Sequence, residues 1–173
     1  MPGTEIKISA EGEILIRGDG LFPRYHKEPE KTEEVLSNGW LHTGDKGEVD
    51  SDGFLRITGR VKDIFKTAKG KYIAPVPIES LLFEDAHIEQ VCVVGSGLPQ
   101  PVAITALSPE TTDGVPQREI RQSLSRTLDR VNAQLQKHEQ VGRIFVVSDE
   151  WTVENEFLTP TMKIKRDLIE EKY

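Results

Sequence analysis

The sequence has little of several features that define whole classes of protein. It has one cysteine, Cys92, which excludes an intramolecular disulfide and a cysteine-rich metal cluster. Aromatic residues make up 6% of the 173 residues, and no apolar run approaches the ~18 residues of a membrane-spanning helix. A net charge of −7 argues against a nucleic-acid partner. Because residues 1–5 do not resemble a signal peptide, we expect a soluble, cytoplasmic protein.

Two β-hairpins are predicted in the first third of the chain. Residues 6–8 and 13–17 alternate apolar and polar side chains across a turn at Gly12, and residues 47–50 and 54–58 flank a turn at Asp52-Gly53. Between the hairpins, Pro29 opens a short helix that ends before Asn38-Gly39. Residues 1–59 are therefore predicted to be β-rich, with too little apolar surface for a complete domain and an exposed apolar face.

From residue 64 onward the predicted order is β-hairpin, helix, strand, strand, helix, strand, helix. The clearest signal follows Pro116, where apolar residues recur at intervals of three and four (Ile120, Leu124, Leu128, Val131, Leu135). A short helix is predicted over 78–83, with Glu79 near its N-terminus, and a polar one over 165–172. This pattern predicts an α+β class with a small mixed α/β domain.

Three segments carry residues suited to chemistry. Gly-Trp-Leu-His-Thr-Gly-Asp (39–45) offers a carboxylate in a loop, which suits two vicinal ribose hydroxyls. Residues 58–75 hold five cations against one carboxylate, which suits a polyphosphate or nucleotide. Leu-Thr-Pro-Thr-Met-Lys (158–163) carries a lysine after a turn. Each segment alone is more typical of an ordinary turn or a solvated charged surface. The four histidines show no metal-ligand spacing, so no metal site is expected.

Taken together and in this order, the three segments resemble the adenylate-forming superfamily, which includes acyl-CoA synthetases, luciferases and peptide-synthetase adenylation domains. The resemblance covers nearly the whole chain, from about Gly12 to Asp167. Two details resemble the long-chain fatty acyl-CoA synthetase branch. One is the longer hairpin of Lys-Gly-Lys-Tyr-Ile-Ala-Pro (69–75). The other is Leu-Thr-Pro-Thr-Met-Lys (158–163), which stands where other members of the superfamily have Pro-Lys-Thr-x-x-Gly-Lys.

The resemblance implies a ligase that converts fatty acid, ATP and coenzyme A to acyl-CoA, AMP and pyrophosphate. It implies that a small C-terminal domain rotates between adenylate formation and thioester formation. The implied roles are adenylation for Lys163, nucleotide binding for Asp45 and Arg60, the hinge for Lys62, and the coenzyme A side for Lys66, Lys69 and Gly70.

The chain departs from the family by lacking its large N-terminal domain, with the phosphate loop, the magnesium-binding glutamate and the acyl tunnel. We therefore expect 1–59 to be the β-rich end of that domain, 60–63 the hinge, and 64–173 the small mobile domain. Alone, the fragment is expected to be inactive. Its missing N-terminal domain is an implied partner, and dimerisation and peripheral membrane contact stay open.

Other interpretations remain. The acid could be aryl or another carboxylic acid, because the tunnel that selects it is absent. The chain could also be a stand-alone module that binds nucleotide or coenzyme A without turnover, or a partner-binding domain whose apolar hairpin face docks on another chain.

Overall fold

A computed structural model describes residues 3–173; Met1 and Pro2, which belong to the predicted β-rich segment, lie outside the described residues. The chain divides into two compact units. Unit 1 ends at Lys62 and unit 2 comprises Asp63–Tyr173. The junction falls within the range 60–63 that the sequence assigns to a hinge.

Unit 1 is built on an antiparallel sheet in the order β1-β2-β4-β3, with β5 also pairing with β4. Its elements are β1 (Thr4–Ile8), β2 (Glu13–Gly18), α1 (Pro29–Val35), β3 (Leu36–Ser37), β4 (Trp40–Val49) and β5 (Leu55–Arg60). Both predicted hairpins and the short helix are confirmed. Asn38 and Gly39 have φ of +53° and +76°, and they form the tight turn that joins β3 to β4.

The sheet of unit 1 leaves apolar side chains exposed near the β4–β5 turn. Phe54 is 71% exposed and Ile57 64%, whereas the buried apolar residues among those described in this unit are Ile14 and Leu15. The predicted exposed apolar face is therefore present in the structure.

Unit 2 contains a three-stranded sheet in the order β10-β9-β8, with a two-stranded hairpin, β6-β7, beside it in sequence. Its elements are β6 (Phe65–Lys66), β7 (Tyr72–Ile73), α2 (Pro75–Leu82), β8 (Ile88–Val94), β9 (Val102–Leu107), α3 (Pro109–Thr112), α4 (Gln117–Asn132), β10 (Ile144–Val147) and α5 (Arg166–Lys172). Strands β8 and β9 are antiparallel, whereas β9 and β10 are parallel and are connected through α4. The α+β class is confirmed.

Three details of the prediction for unit 2 are wrong. Helix α2 begins at Pro75 rather than Ile78, because a proline is tolerated in the first helical turn, so Glu79 lies in the middle of the helix. The one-turn helix α3 has no counterpart in the prediction. Helix α4 ends at Asn132, so Leu135 lies beyond it, although this side chain still packs against the core.

Two apolar clusters lie on the two faces of β8. Val91 and Val93 point to the first cluster, with α2 and α4, while Cys92 and Val94 point to the second, with Trp151. Alternate residues of a strand face opposite sides, so a strand buried on both sides is apolar throughout. None of the helices among residues 3–173 is both long and apolar enough to cross a membrane.

Candidate functional site

The segment that carries Asp45 is a bulge in β4, not the loop that the sequence predicts. Strand β4 pairs with β2 at Lys46 and at His42, but their partners, Glu13 and Leu15, are only two residues apart. The three residues 43–45 of β4 therefore leave the regular ladder with β2. Such a bulge bends a strand and redirects its side chains, and bulges are frequent next to active sites.

Side chains stabilise this bulge where backbone pairing is lost. Thr43 Oγ1 donates a hydrogen bond to the carbonyl of Ile14 at 2.7 Å. The backbone N–H of Gly44 donates to Glu13 Oε1 at 2.8 Å, and the other carboxylate oxygen lies 2.9 Å from His42 Nδ1. Gly44 has a φ of +71°, a left-handed conformation that glycine adopts without the strain of a side chain.

Asp45 and Arg60 are brought together across the β4–β5 pair. They are direct partners in the register, and Arg60 Nε lies 3.5 Å from Asp45 Oδ1. The Asp45 side chain is 33% exposed, so its carboxylate can still accept hydrogen bonds from a ligand. A half-exposed guanidinium beside it supplies positive charge. This arrangement can bind a molecule that carries both hydroxyl donors and negative charge.

Lys62 is the last residue of unit 1. Its Nζ lies 3.3 Å from Glu34 Oε1, and the two side chains are 84% and 64% exposed. An ion pair in water contributes little to stability, so this contact is weak enough to break and re-form.

Lys66, Lys69 and Gly70 belong to one hairpin, β6–β7. The N–H of Gly70 donates to the carbonyl of Thr67 at 2.8 Å and closes the turn. Gly70 has a φ of +77°, and a Cβ there would meet nothing closer than Lys66 Cε at 3.8 Å. The conformation, rather than lack of space, therefore favours glycine.

A cleft of about 440 Å³ lies beside this hairpin within unit 2. Lys69 and Lys71 contribute to its lining from the hairpin, and Lys137 and His138 contribute from the segment after α4. Asp129 also lines it. The balance of charge in the cleft favours an anion.

Lys163 lies in a separate tight turn of unit 2. Thr159 N donates to the carbonyl of Lys163 at 2.8 Å, and Lys163 N donates to Thr159 Oγ1 at 3.0 Å. Met162 adopts a φ of +61°, which is uncommon for a residue with a side chain. The turn is therefore defined at its base, while the lysine side chain is exposed.

A largely buried ion pair, with both side chains 15% exposed, lies three residues beyond Lys163. Arg166 donates to both carboxylate oxygens of Glu79 on α2, at 2.7 and 3.1 Å, and to the carbonyl of Val93 at 2.6 Å. Glu79 also accepts the backbone N–H of Val93 at 2.7 Å. This network joins α2, β8 and the start of α5.

The ion pair of Arg166 and Glu79 affects the pKa of Arg166 itself and that of the neighbouring Cys92. Burial opposes the charge of Arg166, but the hydrogen bonds and charge of Glu79 raise the pKa of the guanidinium above its ordinary value. Burial also raises the pKa of the Cys92 thiol to about 12, and the nearby Arg166 offsets this only in part. Cys92 is therefore a thiol at neutral pH and is unsuited to nucleophilic chemistry.

Asp85, His87 and Ser123 form a cluster that contains the residue types of a catalytic triad. Both Ser123 and Thr127 donate to Asp85 Oδ2, at 3.3 and 2.7 Å, and His87 Nδ1 lies 2.8 Å from Asp85 Oδ1. The serine is thus bonded to the carboxylate rather than to the histidine, which is the wrong order for nucleophile activation. The cluster instead cross-links the start of β8 to α4.

The cross-links made by three residues were not predicted from the sequence: Glu13, Glu79 and Arg166. For Glu79 a signal was available: it lies four residues after Pro75 and three before Leu82, both buried on one face of α2. A carboxylate on a buried helical face requires a cation. Among residues 3–173 no group of three or more histidine, cysteine, aspartate or glutamate side chains could hold a metal ion.

Comparison with known proteins identifies the family. Residues 62–173 match the family described as AMP-binding enzyme C-terminal domain, and the chain belongs to that family. It is 33% identical to the long-chain-fatty-acid–CoA ligase FadD15 of Mycobacterium tuberculosis, over all of this chain and 32% of that protein. It is 37% identical to the mouse long-chain-fatty-acid–CoA ligase 5, over 92% of this chain and 26% of that protein.

A solved structure shows the same fold. The anthranilate CoA ligase AuaEII, crystallised with anthranoyl-AMP, superposes with a TM-score of 0.76 at 25% identity, over 99% of this chain and 33% of that one. The chain thus spans between about a quarter and a third of the length of these relatives.

Proposed function

We propose that this chain is the C-terminal region of an ATP-dependent long-chain acyl-CoA synthetase. The enzyme would convert a fatty acid, ATP and coenzyme A to acyl-CoA, AMP and pyrophosphate. The observation that carries the proposal is the 33% and 37% identity to two long-chain-fatty-acid–CoA ligases, over 100% and 92% of this chain. The opposed Asp45 and Arg60 add a site of matching chemistry.

In this proposal unit 1 binds the nucleotide. Asp45 accepts hydrogen bonds from the two ribose hydroxyls of ATP, since its carboxylate is one-third exposed and only loosely paired. Arg60 supplies positive charge beside the nucleotide. Magnesium would be bound by residues outside this chain.

Unit 2 would supply groups to the two half-reactions in turn. The Lys163 ammonium stabilises the negative charge that develops when the fatty-acid carboxylate attacks the α-phosphate. The β6–β7 hairpin, with Lys66, Lys69 and Gly70, would lie along the path of coenzyme A. The basic cleft beside the hairpin supports this assignment, because coenzyme A carries several phosphates. Lys62 would act as the hinge between the two arrangements.

Pyrophosphate exchange by the full-length enzyme tests the proposal, with a long-chain fatty acid, benzoate and an amino acid as alternative substrates. We expect exchange with the fatty acid and little with the other two. Preference for benzoate would show that the acid class is wrong. The 173-residue chain alone should give no exchange, and micromolar binding of ATP-magnesium to it in calorimetry would favour a self-sufficient binding module instead.

A further inference from the structure

The bulge in β4 depends on Glu13, which has no part in the functional roles proposed for Asp45, Arg60 and Lys163. We propose that Glu13 is a positioning residue for Asp45: its carboxylate fixes the bulge and so sets the direction in which Asp45 presents its own carboxylate. This inference rests on the proposed role of Asp45 in binding the ribose of ATP.

The bulge removes backbone groups of residues 43–45 from the ladder with β2. A half-buried N–H without a partner is costly, so each one needs a substitute acceptor. The N–H of Gly44 donates to Glu13 Oε1 at 2.8 Å, and the N–H of Asp45 donates to Thr43 Oγ1 at 3.1 Å. Glu13 thus holds the Thr43–Gly44 peptide, and Thr43 holds the next one, which joins Gly44 to Asp45.

The Glu13 carboxylate makes one contact through each of its oxygens. One of its oxygens accepts Gly44 N–H, and the other lies 2.9 Å from His42 Nδ1, so one carboxylate contacts the residues on both sides of Thr43. Its side chain is only 17% exposed. A largely buried acceptor with two partners has little rotational freedom, as a positioning group requires.

The contact with Arg60 orients the Asp45 side chain only weakly. Arg60 is its partner across the strands, but their 3.5 Å contact is longer than a well-formed charged hydrogen bond, and half of the arginine side chain is in solvent. The carbonyl of Gly44 accepts Val61 N–H at 2.8 Å, which fixes the following peptide, the one that joins Gly44 to Asp45. The backbone at Gly44 therefore determines where Asp45 points.

Discrimination between ATP and 2′-deoxy-ATP tests the inference in pyrophosphate exchange by the full-length enzyme. We expect Glu13→Ala to lower the ratio of kcat/KM for ATP to that for 2′-deoxy-ATP by about tenfold, equivalent to about 1.4 kcal/mol of lost ribose recognition. Loss of folded enzyme would lower both values equally and leave the ratio unchanged. Glu13→Gln, whose amide oxygen can still accept Gly44 N–H, should keep the ratio within about twofold.

Three further variants make every outcome decisive. Glu11→Ala, an exposed glutamate in the β1–β2 turn, is the matched control and should leave the ratio unchanged. If Glu13→Ala does not fold, Glu13→Asp keeps the charge but shortens its reach, and the same loss of ratio is expected. Asp45→Ala separates the two proposals. An unchanged ratio in Asp45→Ala would refute the ribose role itself, while a lowered ratio there and an unchanged one in Glu13→Ala or Glu13→Asp would overturn only the positioning role.

Discussion

Unit 1 and unit 2 are stabilised in different ways. Of the twenty buried apolar residues among those described, two lie in unit 1 and eighteen in unit 2. The irregular part of unit 1, around Asp45, is held by polar cross-links from Glu13 and Thr43. Unit 2 instead carries Lys69 and Lys163 on turns whose neighbouring residues belong to its two apolar clusters.

This difference suits different tasks. The nucleotide site proposed for unit 1 needs polar groups near solvent, and the half-exposed sheet of this unit provides them. A domain proposed to move as one body needs rigidity from its own core, and unit 2 has that core. The comparison predicts that charges in unit 2 matter for stability where they are buried, and that charges in unit 1 matter chiefly for binding.

The largest effect is expected at Arg166. Arg166→Ala leaves Glu79 buried without its cation and should destabilise unit 2 by about 3–5 kcal/mol. The two tryptophans report on the two units separately, so a Trp40→Phe background leaves Trp151, which is 3% exposed, as the probe of unit 2 during urea denaturation. Lys172→Ala, which removes the exposed pair with Asp149 within unit 2, is the control and should cost less than about 1 kcal/mol. Equal losses in both variants would refute the comparison.

The next effect separates chemistry from binding. In the full-length enzyme, Lys163→Ala should slow adenylate formation by about 10²–10³-fold, the loss typical of one transition-state-stabilising donor. Thioester formation from a supplied acyl-adenylate should survive. Asp45→Ala should chiefly raise KM for ATP. Pyrophosphate exchange and single-turnover thioester assays measure the two steps, and equal depression of both by Lys163→Ala would show the division of roles to be wrong.

A smaller effect is expected at Gly70. Gly70→Asn keeps a residue that tolerates positive φ, so the hairpin should form, but the side chain would narrow the proposed path of coenzyme A. We expect thioester formation to slow by about tenfold, about 1.4 kcal/mol in the barrier, with adenylate formation unchanged. Gly114→Asn, with a φ of +70° and open space around it, controls for the backbone effect. Slowed adenylate formation in Gly70→Asn would contradict the assignment.

The smallest effect concerns Asp85 and pH. Burial alone would raise the pKa of this carboxyl, but hydrogen bonds from the backbone and side chain of His87 and from Thr127 lower it below the ordinary value. Ionised Asp85 therefore stabilises unit 2 at neutral pH, and this contribution is lost as the pH falls below about 4, through its lowered pKa.

Asp85→Asn should accordingly cost about 1 kcal/mol at pH 7 and progressively less below pH 4. Urea denaturation followed through Trp151 measures the difference, with the exposed Asp113→Asn as control. A cost that is independent of pH would show that the charge of Asp85 does not contribute.

Local patterns predicted most of the elements but not the cross-links between them. The hairpins and α4 follow from alternation and helical spacing, which are properties of neighbouring residues. The bulge at 43–45 could not be predicted in this way, because it arises from a mismatch between β2 and β4, about thirty residues apart. The contact between Arg166 and Glu79 spans 87 residues, and nothing near Arg166 distinguishes it from the lysines before it.

The proposed roles of Asp45, Arg60 and Lys163 came from the resemblance of whole motifs to a family. The structure adds the register that opposes Asp45 and Arg60, and the turn that displays Lys163. Neither the register nor the turn follows from composition, because both depend on where the chain reverses direction.

The three-residue bulge in β4 has a consequence for protein engineering. Glu13 and Thr43 close the bulge through their side chains, and Gly44 has a positive φ, so these three residues should be kept while Asp45 is varied. A library confined to Asp45 and Arg60 would alter the surface proposed to bind the nucleotide and would leave the contacts that close the bulge in place. Selecting such a library for altered nucleotide use would start from a sheet that already accommodates surplus residues at this point.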